Sequence, residues 1–501
     1  MADDRTPILI GAGQLTQRDV APTEAKHPVA MMAECAGRAA ADAGLQARRL
    51  AEVDRLVVVN LLSCSYPNAP RFLAEEIGAQ PAGELYTTIG GNTPQLQVNE
   101  TAALIAAGEV RLALLAGAEA VYSVSRARKA GVELSWPSGP AGSPVVTGDD
   151  RQGMSHGEMT HGMLLPASVY PLFENALRVH YGLDLAGQQR QLGELYSRFS
   201  AVAAENRYAW FQQARTPAEI TTASAQNRMI GFPYLKFMNA IIDVDQAAAL
   251  LLTSVGTARE LGVDPSRWVY LWGCADAHDL WFVSQRQNYH SSPAIRMVGR
   301  KALAMAGLGI DKLDYFDLYS CFPCAVEIGR DMLGITLGDP RSLTVTGGLA
   351  YHGGPGNNYT MHAIATMMDK LRAKPGATGL VTGLGWYLTK HSAGVYSAAP
   401  KARPFVREDP KSYQAALDRE PYPELVDEPS GRGVIETYTV THDRDGTPSR
   451  GIVIGRLDDG RRFLANTPDD RATLESLMAH EAIGARGTVS SQHAFNRFEP
   501  A

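Results

Sequence analysis

The chain has 501 residues, 45% hydrophobic and 20% charged, with a formal net charge of −6, so it suits about three domains and shows no basic stripe for nucleic acid. Its longest apolar runs, Leu112 to Gly117 and Ala247 to Leu252, are too short to span a bilayer, and the polar, acidic start reads as no signal peptide. Five scattered cysteines, Cys35, Cys64, Cys274, Cys321 and Cys324, point to a reducing cytoplasm rather than a disulfide framework.

The first segment reads as strand, glycine turn, helix, strand. Pro7 to Ile10 is a short apolar strand ended by Gly11-Ala12-Gly13, and Val29 to Ala43 has helical spacing up to Gly44. Gly11-Ala12-Gly13 imitates part of a dinucleotide fingerprint, but the full spacing and the later acidic partner are missing. Leu56 to Val59 is a continuous apolar strand, as expected where a sheet is covered on both faces. Pro94 to Ala107 is a helix stopped by Gly108, followed by a strand from Leu112. From about Val121 to Phe237 the order turns irregular, with helical runs Tyr170 to Tyr181 and Gln188 to Ala209, as in an insertion over a site. Ala247 to Ser254 resumes the sheet.

A second α/β stretch begins at Trp268, with helices Pro293 to Ala306, Cys324 to Leu333 and Pro355 to Leu371. Its strands are Leu313 to Leu318, Gly379 to Trp386 and Ala393 to Ser397. Ala398 to Glu428, rich in Pro and charge, reads as a linker. Beyond it the pattern is all-β: Val434 to Thr441 and Gly451 to Leu457 alternate, and Asp458-Asp459-Gly460 turns into Arg462 to Ala465. Short antiparallel strands in this length suggest a small barrel of OB type. The expected division is 1–120 with 241–267, an insertion at 121–240, a second half at 268–398, a linker at 399–426 and a β-barrel at 427–501.

The run Gly347-Gly348-Leu349-Ala350-Tyr351-His352-Gly353-Gly354-Pro355-Gly356-Asn357-Asn358 before an apolar helix is the most informative stretch. So many glycines let backbone amides approach a ligand and tolerate positive φ. The stretch resembles the thiolase signature in which Gly-Gly precedes a Gly-His-Pro turn, and the tandem α/β halves with an insertion match thiolase architecture from about Pro7 to Ser397. Within that superfamily the chain resembles the sterol-carrier branch and the thiolase-like proteins of type 1, which carry an extra C-terminal β-domain.

The resemblance implies four catalytic positions, and this chain alters each. The nucleophilic Cys falls on Gly91 in Gly90-Gly91-Asn92, the Asn of the oxyanion site on Tyr319, the signature His on Gly354 and the second Cys on Gly383. An acyl-enzyme needs a thiolate and a base, so the chain is not an ordinary thiolase. The candidates that remain are His352 as base or as a turn-pinning residue, Tyr319 as hydrogen-bond donor to an enolate, His391 as a replacement acid/base and Cys321 as a substitute nucleophile. Gly90, Gly91, Asn92, Gly353 and Gly354 offer backbone donors for an oxyanion, and His156, Asn357 and Asn358 are read as pocket lining. His161 has only weak support as a metal ligand, and Cys321-x-x-Cys324 lacks the second ligand pair that zinc requires, so no metal is expected.

These readings lead to an acyltransferase acting on acyl-CoA or β-keto substrates, making or breaking a C–C bond without decarboxylation and without the usual Cys. Coenzyme A would be substrate or co-substrate, no cofactor would be held covalently, and the protein would be a monomer or homodimer. The alternative is a non-catalytic protein that binds CoA esters or lipids, or a scaffold.

Overall fold

A computed structural model describes residues 3–401, 403–493 and 495–501. Ten strands form one continuous sheet in the order 315–317, 378–385, 390–397, 269–278, 7–16, 245–254, 112–120, 55–58, 83–87, 145–147. Each half runs antiparallel from its inner strand outward and then parallel. The halves join where Ile8 and Leu9 pair with Tyr270 and Val269. Gly11 and Gly13 let the helix Pro28–Asp42 press onto this inner strand: a Cβ on either would lie about 2 Å from a helix carbonyl oxygen, 2.0 Å at Ala39 and 2.1 Å at Cys35. Close packing thus accounts for this Gly-x-Gly.

The helices Thr93–Ala107 and Tyr359–Ala373 lie between the halves and touch strands of both. Away from their exposed last turns they have no solvent face to make polar, so polar residues there are buried in pairs. Asn99 donates to Asp276 at 2.9 Å, Tyr396 donates to Gln95 at 2.8 Å and Asn92 donates to Ser392 at 3.3 Å. These three residues of one helix face form a polar ladder against the second half.

The C-terminal barrel closes: 431–442 pairs with 448–457, then 462–466, 495–500 and 486–492, which returns to 431–442. The helix Arg471–Ala479 sits between its third and fourth strands, in a stretch read from sequence as all-β. Asp470 caps it by accepting from Thr473 N, and Leu474 and Leu477 are buried against the barrel. Together these features make the OB topology expected from sequence.

The barrel does not stand apart. Its first strand continues into the insertion, where Gly231 pairs with Thr441. Arg462, with no solvent exposure, is held by Glu436 at 2.7 Å and donates to the carbonyls of Ser284 and Arg286 in the second half. Arg178 of the insertion, equally buried, is held by Glu481 at 2.9 Å. The linker is also docked: it forms the helix Lys411–Leu417, Tyr413 donates to Asp276 O at 2.9 Å and Arg407 pairs with the Asp276 carboxylate at 2.7 Å. Elsewhere the helix read as reaching Ala209 ends at Glu205, and the last strand begins at Lys390 rather than Ala393. Among the described residues no helix is long and apolar enough to cross a membrane.

Candidate active site

The site is built where the turn Gly90-Gly91-Asn92, the end of strand Tyr315–Asp317 and the strand pair Thr378–Gly385 and Lys390–Ser397 converge. Its most direct feature is a side chain in a vacated space. A Cβ on Gly91 would lie 2.0 Å from Tyr319 Oη and 2.7 Å from Leu384 O, so the phenol fills the room a residue at 91 would need. Tyr319 is fixed by its own N–H, which donates to Thr382 Oγ1 at 2.9 Å. Burial, and then the neighbouring Cys321 thiol, raises its phenol well above the usual range. The hydroxyl therefore stays protonated and can donate.

The glycine turn is sewn to the rest by side chains. Asp317 accepts from Val345 N and from Tyr359 Oη, each at 2.9 Å, which fixes the turn to the sheet end. Gly353, at φ +114°, leaves room for Gln246, and Gly356, at φ +52°, leaves room for Glu119. Gly354, by contrast, would bring a Cβ no closer than 3.3 Å to Leu349 Cδ2, so the position that carries His in the thiolase pattern would take a side chain only if Leu349 gave by a few tenths of an ångström.

Several expected donors are already engaged. Gly90 N donates to Asn357 Oδ1 at 2.8 Å, and Gly354 N donates to Ile241 O at 2.8 Å. Neither amide is free for an oxyanion. Asn357 and Asn358, read as pocket lining, are instead structural: Asn357 also donates to Asn60 O at 3.1 Å and Asn358 to Gly117 O at 2.8 Å.

The histidines fall elsewhere. His352 is fully buried, its ring packed against His362 at 5.0 Å and Tyr359 at 5.8 Å, and its Nδ1 lies 3.4 Å from Gly353 O. Burial pushes its imidazole down to about 4, so it is neutral near pH 7 but a weak base. His391 is turned away by the pleat. Gly383 pairs with Ser392 and Gly385 with Lys390, which puts these four on the face of the glycine turn and His391 on the opposite face with Leu384. There His391 Nε2 lies 3.2 Å from Asp279. Burial alone would raise that carboxyl, but His391 and Arg286 beside it outweigh this and hold it below its usual range. A cavity of about 20 Å³ is lined by Tyr319, Leu384, His391 and apolar helix residues. His156 is exposed at the start of a short helix capped by Ser155, not in a pocket. Cys321 is a packed thiol pushed up to about 12 by burial. Among the described residues no group of three His, Cys, Asp or Glu is placed to hold a metal.

One site residue escaped the sequence reading. Lys390, 6% exposed, runs along the turn, and a Cβ on Gly90 would lie 3.0 Å from its Nζ. It donates to Ile89 O and, at 3.5 Å, to Asp149 O. Burial lowers its ammonium to about 8; Asp149 opposes this and Arg151 adds to it. The available signal was a lysine at the head of a strand that is buried throughout, on the same face as the Gly383 and Gly385 positions.

Tandem halves around two buried helices, with glycine turns at their junction, define a thiolase fold. Comparison with known proteins narrows this. The monomeric SCP2-thiolase like protein type 1 of Mycobacterium smegmatis is 37% identical, with 99% of each chain covered and a TM-score of 0.86. The family described as thiolase-like protein type 1 additional C-terminal domain matches residues 412–494. The chain therefore belongs to the thiolase-like proteins of type 1. The Ltp2-ChsH2(DUF35) aldolase shares the fold at 19% identity and a TM-score of 0.60, over 80% of this chain and 99% of that one. Acetyl-CoA acetyltransferase 1 of Arabidopsis thaliana is 30% identical over 144 residues, 29% of this chain and 32% of the relative. The chain spans about a third of the length of the curated relatives it matches, 31% for the Schizosaccharomyces pombe acetyl-CoA acetyltransferase.

Proposed function

We propose that this protein makes or breaks a carbon–carbon bond in a β-keto or acyl-CoA thioester without an acyl-enzyme, with the Tyr319 hydroxyl donating to the enolate oxygen. The observation that carries the reading is the Tyr319 hydroxyl in the space left by Gly91. The residue at the nucleophile position is gone, and a proton donor stands in its place. The thiol of Cys321, held protonated by burial, offers no thiolate to replace it. Coenzyme A enters as the carrier of the substrate, in keeping with the acetyl-CoA acetyltransferase relatives. In this reading His352 is a turn residue rather than the base, since its ring is enclosed by His362 and Tyr359.

A second reading, a CoA-ester-binding protein without turnover, is favoured by the small cavity beside Tyr319, which at about 20 Å³ holds roughly one water. Incubation with β-keto and β-hydroxy acyl-CoA esters separates the two. Turnover without a mass increase on the protein, reduced about 10²-fold by Tyr319→Phe, supports the enolate chemistry. A stable acyl adduct on a cysteine would overturn it. A thermal shift with acyl-CoA and no turnover would move the assignment to the binding role.

A further inference from the structure

Of the ten lysines in the chain, Lys390 alone is buried. Its position follows from the strand pairing. Register with Gly385 aims the stem at the Gly90 turn, and both glycines make room for it: a Cβ on Gly385 would lie 3.1 Å from Lys390 Cε. A buried ammonium ordinarily has a carboxylate partner. Lys390 instead meets two backbone carbonyls, of Ile89 and Asp149, while the Asp149 carboxylate is taken by Arg151 at 2.6 Å. A second polar atom is aimed at the same place. Asn92 is 4% exposed, its Oδ1 has no partner among the described residues, and it points at the Cβ positions of Gly90 and Gly385, at 2.6 and 2.4 Å. Solvent lies close by, since Ile89 is 40% exposed and Asp150 to Gln152 form an exposed loop.

We infer that Lys390 is a carbonyl-capturing amine, at which the ketone of a β-keto acid or β-keto thioester condenses to an iminium. The neutral amine attacks the carbonyl carbon, and a proton passes from nitrogen to oxygen to give a carbinolamine. Addition of one solvent proton expels the hydroxyl as water and leaves the protonated C=N bond. Asn92 Oδ1, aimed at the same turn, is available to accept from the carbinolamine hydroxyl. The iminium then draws electrons from the adjacent carbon, which loses a proton to become an enamine nucleophile. Desolvation supplies the amine: with its ammonium near 8 rather than about 10.4, the neutral fraction at pH 7 is roughly two-hundredfold that of a surface lysine. This inference shares the Gly90-Gly91-Asn92 turn and the β-keto substrate class with the Tyr319 reading, but not its proton donor.

The test is reductive trapping of the full chain with sodium cyanoborohydride, in separate arms with acetoacetate and acetoacetyl-CoA, followed by peptide mapping. The expected result is one dominant adduct, on the peptide carrying Lys390, with a labelling rate that levels off above about pH 8 while surface lysines keep gaining. The arm that labels at lower concentration identifies the free acid or the thioester as the source of the ketone. Lys390→Arg, which keeps the charge that holds Ile89 and Asp149, should melt as the parent does and lose the adduct. Tyr319→Phe should still be trapped, so loss of turnover in that variant and loss of trapping here are separate results. Labelling confined to exposed lysines in both arms, with Lys390 unmodified, would overturn the inference and leave Lys390 as a clasp between two loops.

Discussion

At the seam between the two α/β halves, fit is achieved by leaving atoms out: Gly91 yields to Tyr319, Gly353 to Gln246 and Gly356 to Glu119. Where the barrel meets the second half and the insertion, fit is achieved by burying charge, with Arg462, held by Glu436, on the carbonyls of Ser284 and Arg286, and Arg178 on Glu481. The first seam is sensitive to volume. The second tolerates little loss of a partner, because an orphaned buried charge costs more than the pair contributes.

The largest expected effect is at the charged seam. Arg462→Ala removes one of the two guanidinium groups on Glu436, which keeps Arg456, and orphans the carbonyls of Ser284 and Arg286 at about 1–3 kcal/mol each, so it should cost about 3–5 kcal/mol with early proteolysis between barrel and core. Chemical denaturation checks it; a loss below about 1 kcal/mol would remove the contrast.

Next, Gly91→Cys should cost about 1–3 kcal/mol by overpacking against Tyr319 and should not restore an acyl-enzyme. Adding Tyr319→Ala should recover part of that loss, seen as a non-additive double-mutant cycle.

Where the insertion meets the helix Pro323–Leu333, Glu174 and Glu327 are both buried, and burial raises both carboxyls, Glu327 further through Glu174. A carboxyl raised on folding favours the folded state most below its unfolded value of about 4.3, and that contribution falls as pH rises above it. Glu327→Gln should therefore shrink the stability drop between pH 5 and 8, measured against the parent at each pH.

The smallest effect concerns Tyr319. Its hydroxyl has no hydrogen-bond partner among the described residues, so Tyr319→Phe should change stability by less than about 0.5 kcal/mol. A larger loss would mean that the hydroxyl serves the fold rather than a ligand.

The architecture was readable from sequence because glycine stops, apolar strands and turn residues lie close to the elements they define. The helix Arg471–Ala479 was missed although Asp470 and the Leu474/Leu477 spacing mark it, because strand alternation on either side set the expectation. The site was harder. Starting the last strand at Ala393 took Lys390 out of the ladder, and with it the pleat that separates Lys390 from His391. The fit of Tyr319 to Gly91 joins distant segments, and no local pattern encodes it. His352 carried a strong sequence signal, but sequence did not show that the turn folds it inward against His362.

The outer edge of the sheet carries one more consequence. The strand Gly83–Thr87 is itself covered by the three residues Val145–Thr147 in parallel pairing. Three residues present few free rungs on which a second copy could template. If this capping keeps the chain single, mass action adds nothing to its stability, and dilution should leave its melting temperature where it was.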